Sequence, residues 1–167
     1  MTAALWLEAY PQDAQQLVLV GAPGMGFALP ERIPLKGWRH LPTPEAQAQV
    51  HRHNLMALML QTPEALDGLA LSLHTANVQR DRMPRRRLSS TDIVAQVLPK
   101  LQVPVSAIYG EHDALYRERL AEVREALPRW APHWGQWRVV PGAGHWVMYE
   151  ASEAFNAALQ ATLMPAA

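Results

Sequence analysis

An α/β layered architecture with a parallel sheet is the fold class that this 167-residue chain predicts, and three observations carry it. Leu17-Val18-Leu19-Val20-Gly21 and Pro104-Val105-Ser106-Ala107-Ile108-Tyr109 are short, continuous apolar runs with β-branched residues, the mark of strands buried on both faces. A third run over 137–140 leads directly into Pro141-Gly142-Ala143-Gly144-His145-Trp146. Helical patterns separate the three runs, and strand–helix–strand alternation builds parallel sheets.

The elements follow in order. Residues 2–10 read as a short helix with Leu5, Trp6 and Tyr10 on its apolar face, closed by Pro11. The strand over 17–20 runs into the loop Gly21-Ala22-Pro23-Gly24-Met25-Gly26. From Phe27 to Pro99 the character is helical. Thr43-Pro44 and Thr62-Pro63 each pair an N-cap with a proline in the first turn, which predicts helices over 44–60 and 63–79. Ser90-Thr91-Asp92 opens a third helix that ends before Pro99. A strand over 103–109, a helix over 116–127, a strand over 137–140 and a helix over 152–163 complete the chain. Residues 1–26 and 100–167 therefore form a partial α/β core, and residues 27–99 an all-helical insertion.

Composition narrows the function classes. Lys+Arg and Asp+Glu balance at 15 each, so overall charge argues for neither a nucleic-acid partner nor an anionic membrane. There is no cysteine, which removes disulfides and thiolate metal sites and fits a reducing compartment. The first residues lack the basic segment of a signal peptide, and the longest apolar stretch is cut by Gly21, Pro23, Gly24 and Gly26. A cytoplasmic protein is expected.

The chemistry gathers at strand ends. In open α/β sheets functional side chains sit at the carboxyl ends of strands, and both Asp113 and His145 occupy such positions. An Asp there holds an imidazole in one tautomer and stabilises its protonated form. Gly142 and Gly144 let the backbone turn sharply beside the histidine. Glu111 is the local rival to Asp113, His112 is expected to face solvent, and Trp146 is placed to touch substrate. No residue is assigned as nucleophile, because Gly-x-Ser-x-Gly occurs nowhere in the chain. No metal site is expected: His51 and His53, two apart on a helix, face different ways. The Leu55, Met56, Leu58, Met59, Leu60 stripe reads as a helix face that packs on the core or lines an apolar pocket. The run from Arg80 to Arg87 reads as a solvated inter-helix loop rather than an anion site, since no aromatic residue interleaves with its arginines.

These features resemble the C-terminal half of an α/β-hydrolase. Residues 17–24 resemble the strand and loop that follow the nucleophile helix in that family, 104–113 its acid strand, 142–146 its histidine loop, and 27–99 stand where its variable cap is inserted. His145-Trp146 with Glu150, Glu153, Phe155 and Asn156 is most similar to the hydrolases that cleave C–C bonds in ring-fission products. The resemblance implies three parallel strands with flanking helices and an inserted helical cap. It implies hydrolysis of a small apolar ester or a diketone-type C–C bond, with His145 as general base and then acid, Asp113 as its orienter, and no cofactor. In the family a helix like that over 2–10 begins just after Gly-x-Ser-x-Gly. The expectation is thus a chain cut off before its serine, inactive alone, with the strand over 17–20 left as an open apolar edge. A homodimer or a complementing N-terminal half would cover that edge. The alternatives are a non-catalytic remnant acting as an interaction module, and one half of a split hydrolase.

Overall fold

A computed structural model describes residues 1–27, 33–81 and 90–164. Three strands, β1 (Leu17–Val20), β2 (Val105–Gly110) and β3 (Trp134–Val140), form one parallel sheet in the order β1-β2-β3. The helices are α1 (Thr2–Ala9), α2 (Pro44–Leu58), α3 (Gly68–Arg80), α4 (Ile93–Val97), α5 (Leu120–Trp130), α6 (Val147–Glu150) and α7 (Ser152–Leu163). The expected parallel α/β architecture is present.

The two-residue period of the strands sorts side chains into two layers. Leu17 and Leu19 of β1 and Val105, Ala107 and Tyr109 of β2 point to one face. They pack there with Ala4 and Leu7 of α1, Val94 and Val97 of α4, and Val123 and Leu127 of α5. On the other face Ile108 and Val140 meet Val147 and Phe155, with Val18 and Val20 half-buried beside them. The central strand is buried along all six residues, which is why its apolar run has no alternation. Although α4 falls within the 27–99 stretch, its Val94 and Val97 belong to this core rather than to the helical hairpin.

Four elements depart from the sequence-based expectation. In α1 the buried residues are Ala4 and Leu7, while Trp6 and Tyr10 are 53% and 47% exposed. The helix seats its small face on the core, and the two aromatic rings contact each other outside it, 4.7 Å between centroids. Pro63–Ala65 forms only a 3-10 turn, and α3 begins at Gly68, where the Asp67 carboxylate accepts the Ala70 N–H at 2.7 Å. The third strand starts at Trp134, before the apolar run. The register moves from Val105↔Trp134 to Ala107↔Trp137, a bulge in which the Ser106 hydroxyl accepts the Gln136 N–H at 3.0 Å. The expected helix over 116–127 opens as a 3-10 turn, Arg117–Arg119, before α5. Most of the basic run, from Arg82 to Arg87, lies outside the described residues.

Helices α2 and α3 pair as a hairpin with its own small core of Leu55, Leu60 and Ala70. The Thr43 hydroxyl caps α2 as expected, accepting the Ala46 N–H at 3.2 Å. Inside the hairpin, His51 and His74 face each other with ring centroids 5.4 Å apart, and Trp38 covers His51 at 4.9 Å. Both nitrogens of His51 and Nε2 of His74 are buried with no hydrogen-bond partner among the described residues. Burial lowers the pKa of both rings, and for His74 the neighbouring His51 adds to that.

Proton linkage turns these lowered values into a pH dependence. The unfolded chain takes up protons near the ordinary value of 6.5, whereas the folded hairpin resists them. Stability is therefore untouched above that pH and is lost as the pH falls below it. Urea unfolding between roughly pH 7.5 and pH 5 should show a loss of up to about 1.4 kcal/mol per pH unit for each proton difference. His51→Phe should flatten that slope; an unchanged slope would show that the pair does not titrate with folding.

Candidate active site

The carboxyl ends of all three strands meet at one point. β2 ends at Gly110, where a Cβ would collide with the carbonyl oxygens of Ala143 and Gly144. Glycine there lets the loop after β3 lie directly on the end of β2, and the His112 N–H donates to the Ala143 carbonyl at 2.9 Å. Gly21, at the end of β1, has φ +50, and a Cβ on it would stand 3.1 Å from both Asp113 Oδ2 and His145 Nδ1. A left-handed residue without a side chain is what this position takes.

The turn after β2 carries Asp113, which has no exposed surface. Its Oδ1 accepts the Leu115 N–H at 2.9 Å, while its backbone carbonyl accepts the N–H groups of Tyr116 and Arg117 at 2.9 and 2.7 Å. The loop after β3 brings His145 against it: Nδ1 lies 3.0 Å from Oδ2 and 3.1 Å from Oδ1. With Nδ1–H donating to the carboxylate, Nε2 is left with its lone pair, the tautomer a general base needs. Among the described residues the His145 ring bonds only Asp113. Glu111 is engaged elsewhere, with Oε2 accepting the Gly142 N–H at 2.9 Å, and so braces the histidine loop without touching the ring.

The His145 side chain is 19% exposed and lines a cleft of about 430 Å³. Met56, Leu58 and Leu60 of the stripe form its apolar wall, and His112, Arg117 and Glu118 its polar side. Trp146 does not line this cleft; it is half-buried against the Leu55–Leu60–Ala70 cluster and 6.0 Å from Tyr149. His53 Nε2 is bonded to the Pro34 carbonyl, and no group of three or more potential metal ligands occurs among the described residues.

Sequence reasoning missed several members of the site. Arg117 holds φ +34, a costly conformation for a side-chain-bearing residue, and no local pattern announces it. Tyr109 and Tyr116 both donate to the Ala22 carbonyl, at 3.3 and 2.5 Å, tying the loop after β1 to the acid turn. Burial pushes both phenols up, most strongly, and the Asp113 charge adds to it, so both stay protonated donors. Their apolar spacing reads simply as core.

No protein-family model and no curated protein matches the chain. Solved structures do. A meta-cleavage product hydrolase from Pseudomonas fluorescens matches with TM-score 0.67 and 21% identity, over 94% of this chain and 58% of that one. A carboxylesterase from Bacillus subtilis matches with TM-score 0.70 and 20% identity, over 99% and 56%. A 2-hydroxy-6-oxo-6-phenylhexa-2,4-dienoate hydrolase from a Rhodococcus strain matches with TM-score 0.60 and 18% identity, over 97% and 60%. The chain has an α/β-hydrolase fold along nearly its whole length, and it spans less than two thirds of the length of each of these proteins.

The bond between Asp113 and His145 has a direct spectroscopic consequence. The Nδ1 proton of His145 should appear as a slowly exchanging downfield proton resonance, and Asp113→Ala should abolish it. That substitution also strips the Leu115 N–H of its partner, so unfolding should cost about 1–3 kcal/mol less for each buried donor left unpaired. A downfield signal that survives in D113A would mean that the proton sits elsewhere.

Proposed function

We propose that this chain supplies the acid–base part of a serine-type hydrolase site. The observation that carries the reading is the His145 ring held by both oxygens of a fully buried Asp113, with Nε2 unpartnered among the described residues and the ring on an open cleft. In this reading a hydroxyl nucleophile, delivered by polypeptide outside the described residues, comes within hydrogen-bond reach of Nε2. His145 takes its proton as the hydroxyl attacks the scissile carbonyl, and Asp113 stabilises the imidazolium that forms. The ring then returns the proton to the leaving group, and a second pass with water in the nucleophile's place frees the product. Such a sequence asks for no metal or organic cofactor, because base, nucleophile and oxyanion donors suffice for acyl transfer.

The substrate class is a small, largely apolar ester or a diketone-type C–C bond. Two features support it: the apolar wall of Met56, Leu58 and Leu60, and matches to a carboxylesterase and to meta-cleavage product hydrolases. In the same reading α2 and α3 act as the cap, and Trp146 shapes the cleft through its packing on that hairpin.

The 167-residue chain should neither hydrolyse p-nitrophenyl esters nor take up a fluorophosphonate probe at Ser72, Ser89, Ser90, Ser106 or Ser152. Adding a polypeptide that carries Gly-x-Ser-x-Gly and the strands before it should restore both, and D113N should then lower kcat by about 10⁴-fold. Labelling of one of this chain's own serines, or a folded complemented assembly without turnover, would sink the reading.

A second reading is favoured by one observation, the side of β1 that pairs with no strand among the described residues. Leu17 and Gly21 donate to Pro104 and Ile108 of the β2 side, so Val18 and Val20 direct their N–H groups to the open side. Exposed edges of this kind pair with other chains. Val18→Pro deletes an edge donor without cutting the β1–β2 ladder. It should weaken self-association, or capture of a complementing strand, by about tenfold or more in sedimentation velocity. Identical behaviour of V18P and the parent would place any such contact elsewhere.

A further inference from the structure

Glu150 ends α6, in the first turns after His145, and its carboxylate joins two parts of the chain that are far apart in sequence. One oxygen, Oε1, accepts the N–H groups of Gln61 at 2.8 Å and Thr62 at 2.6 Å, together with the Thr62 hydroxyl at 3.0 Å. The other, Oε2, accepts the N–H of Gly144 at 2.6 Å. Gln61 and Thr62 form the turn that leaves α2, the first helix of the hairpin. Gly144 directly precedes His145. Around this carboxylate the two backbones nearly touch: the Trp146 N–H donates to the Met59 carbonyl at 2.8 Å. A Cβ on Gly144 would stand 2.9 Å from the Gln61 nitrogen and 3.0 Å from the Met59 oxygen.

We propose that Glu150 is a positioning residue that sets the His145 ring through Gly144 and couples its placement to that of the α2–α3 hairpin. Each oxygen serves one side only. Displacement of the 61–62 turn must either carry Gly144 with it or break a charge-assisted bond. The other carboxylate on the histidine loop, Glu111, holds it at Gly142, on the far side of Ala143. A cap that shifts to admit or release substrate therefore shifts the base. This inference rests on His145 being the base, but its test reads hydrogen bonds and not turnover.

The experiment is native-state amide hydrogen exchange by NMR on the parent chain, E150A and E150Q, together with the downfield Nδ1 proton of His145. E150A removes both acceptors. E150Q keeps the side-chain length and one acceptor oxygen but turns an amide NH₂ toward one set of donors. In E150A the amides of Gly144, Gln61 and Thr62 should exchange about tenfold faster or more, and in E150Q one of the two sets, Gly144 or Gln61 with Thr62, should do so, with Ala107 and Ile108 of β2 unchanged in both. The Nδ1 proton should lose its protection at the same time. Protection of Gly144 in E150A equal to the parent's, or of Gly144, Gln61 and Thr62 alike in E150Q, would overturn the proposal. So would faster exchange at 61, 62 and 144 that leaves the Nδ1 proton as it was, because Glu150 would then brace the cap without positioning the ring. If E150A does not fold, E150Q decides between these outcomes. Failure to restore hydrolysis by complementation would strike the proposed function and leave this result standing.

Discussion

A carboxylate with no exposed surface has to be surrounded by donors, and the geometry of this molecule follows from satisfying Asp113. Among the described residues two donors reach its side chain, the Leu115 N–H and His145 Nδ1, and they come from different turns. Bringing the second one in requires the loop after β3 to lie across the end of β2. Gly110 permits that approach because the space of its missing Cβ is filled by the Ala143 and Gly144 carbonyls. Gly21 permits the end of β1 to close from the third side. The dyad is thus a product of sheet order: three parallel strands ending together, with small residues where their loops converge.

The same constraint explains the division of labour among the acids. Glu111, Asp113 and Glu150 all lie near the histidine, yet each binds a different part of its loop. Glu111 holds Gly142, Asp113 holds the ring, and Glu150 holds Gly144 and the turn of the hairpin. Among the described residues only the buried one touches the imidazole. The other two remain partly open to solvent and act on backbone N–H groups, where a carboxylate secures loop geometry. Tyr109 and Tyr116 complete the frame from below by sharing the Ala22 carbonyl.

The β1 edge of the sheet contrasts with this closure. β2 is buried throughout, whereas β1 has a ladder on one side and outward backbone donors on the other. Trp6 stands exposed and lines an apolar hollow with Ala3, Leu7 and Leu17, and the exposed Tyr10 ring packs against Trp6. That region leaves apolar surface exposed, while the geometry of the dyad is already assembled inside.

Much of this architecture is legible in the order of residues alone. Strands buried on both faces leave unbroken apolar runs, so β1 and β2 stand out, and side chains at strand ends beside glycines mark Asp113 and His145. Other features are not legible. Gly135 and Gln136 interrupt the apolar pattern of β3, and only the bulge, filled by the Ser106 hydroxyl, keeps them in the strand. Thr62 looks like an N-cap, but its hydroxyl donates to Glu150, and the helix waits for Asp67. The apolar face of α1 cannot be read from its own residues, since Trp6 is the larger hydrophobe but Ala4 fits the core. The sequence by itself determined the parallel α/β class and the acid-then-histidine order, because periodicity and turn chemistry are local. Tertiary structure alone decided which acid meets the ring, which helix face is buried, and that Glu150 bridges residues 88 and 89 positions away. Those outcomes depend on which atoms come to share a buried space, and no local pattern encodes that.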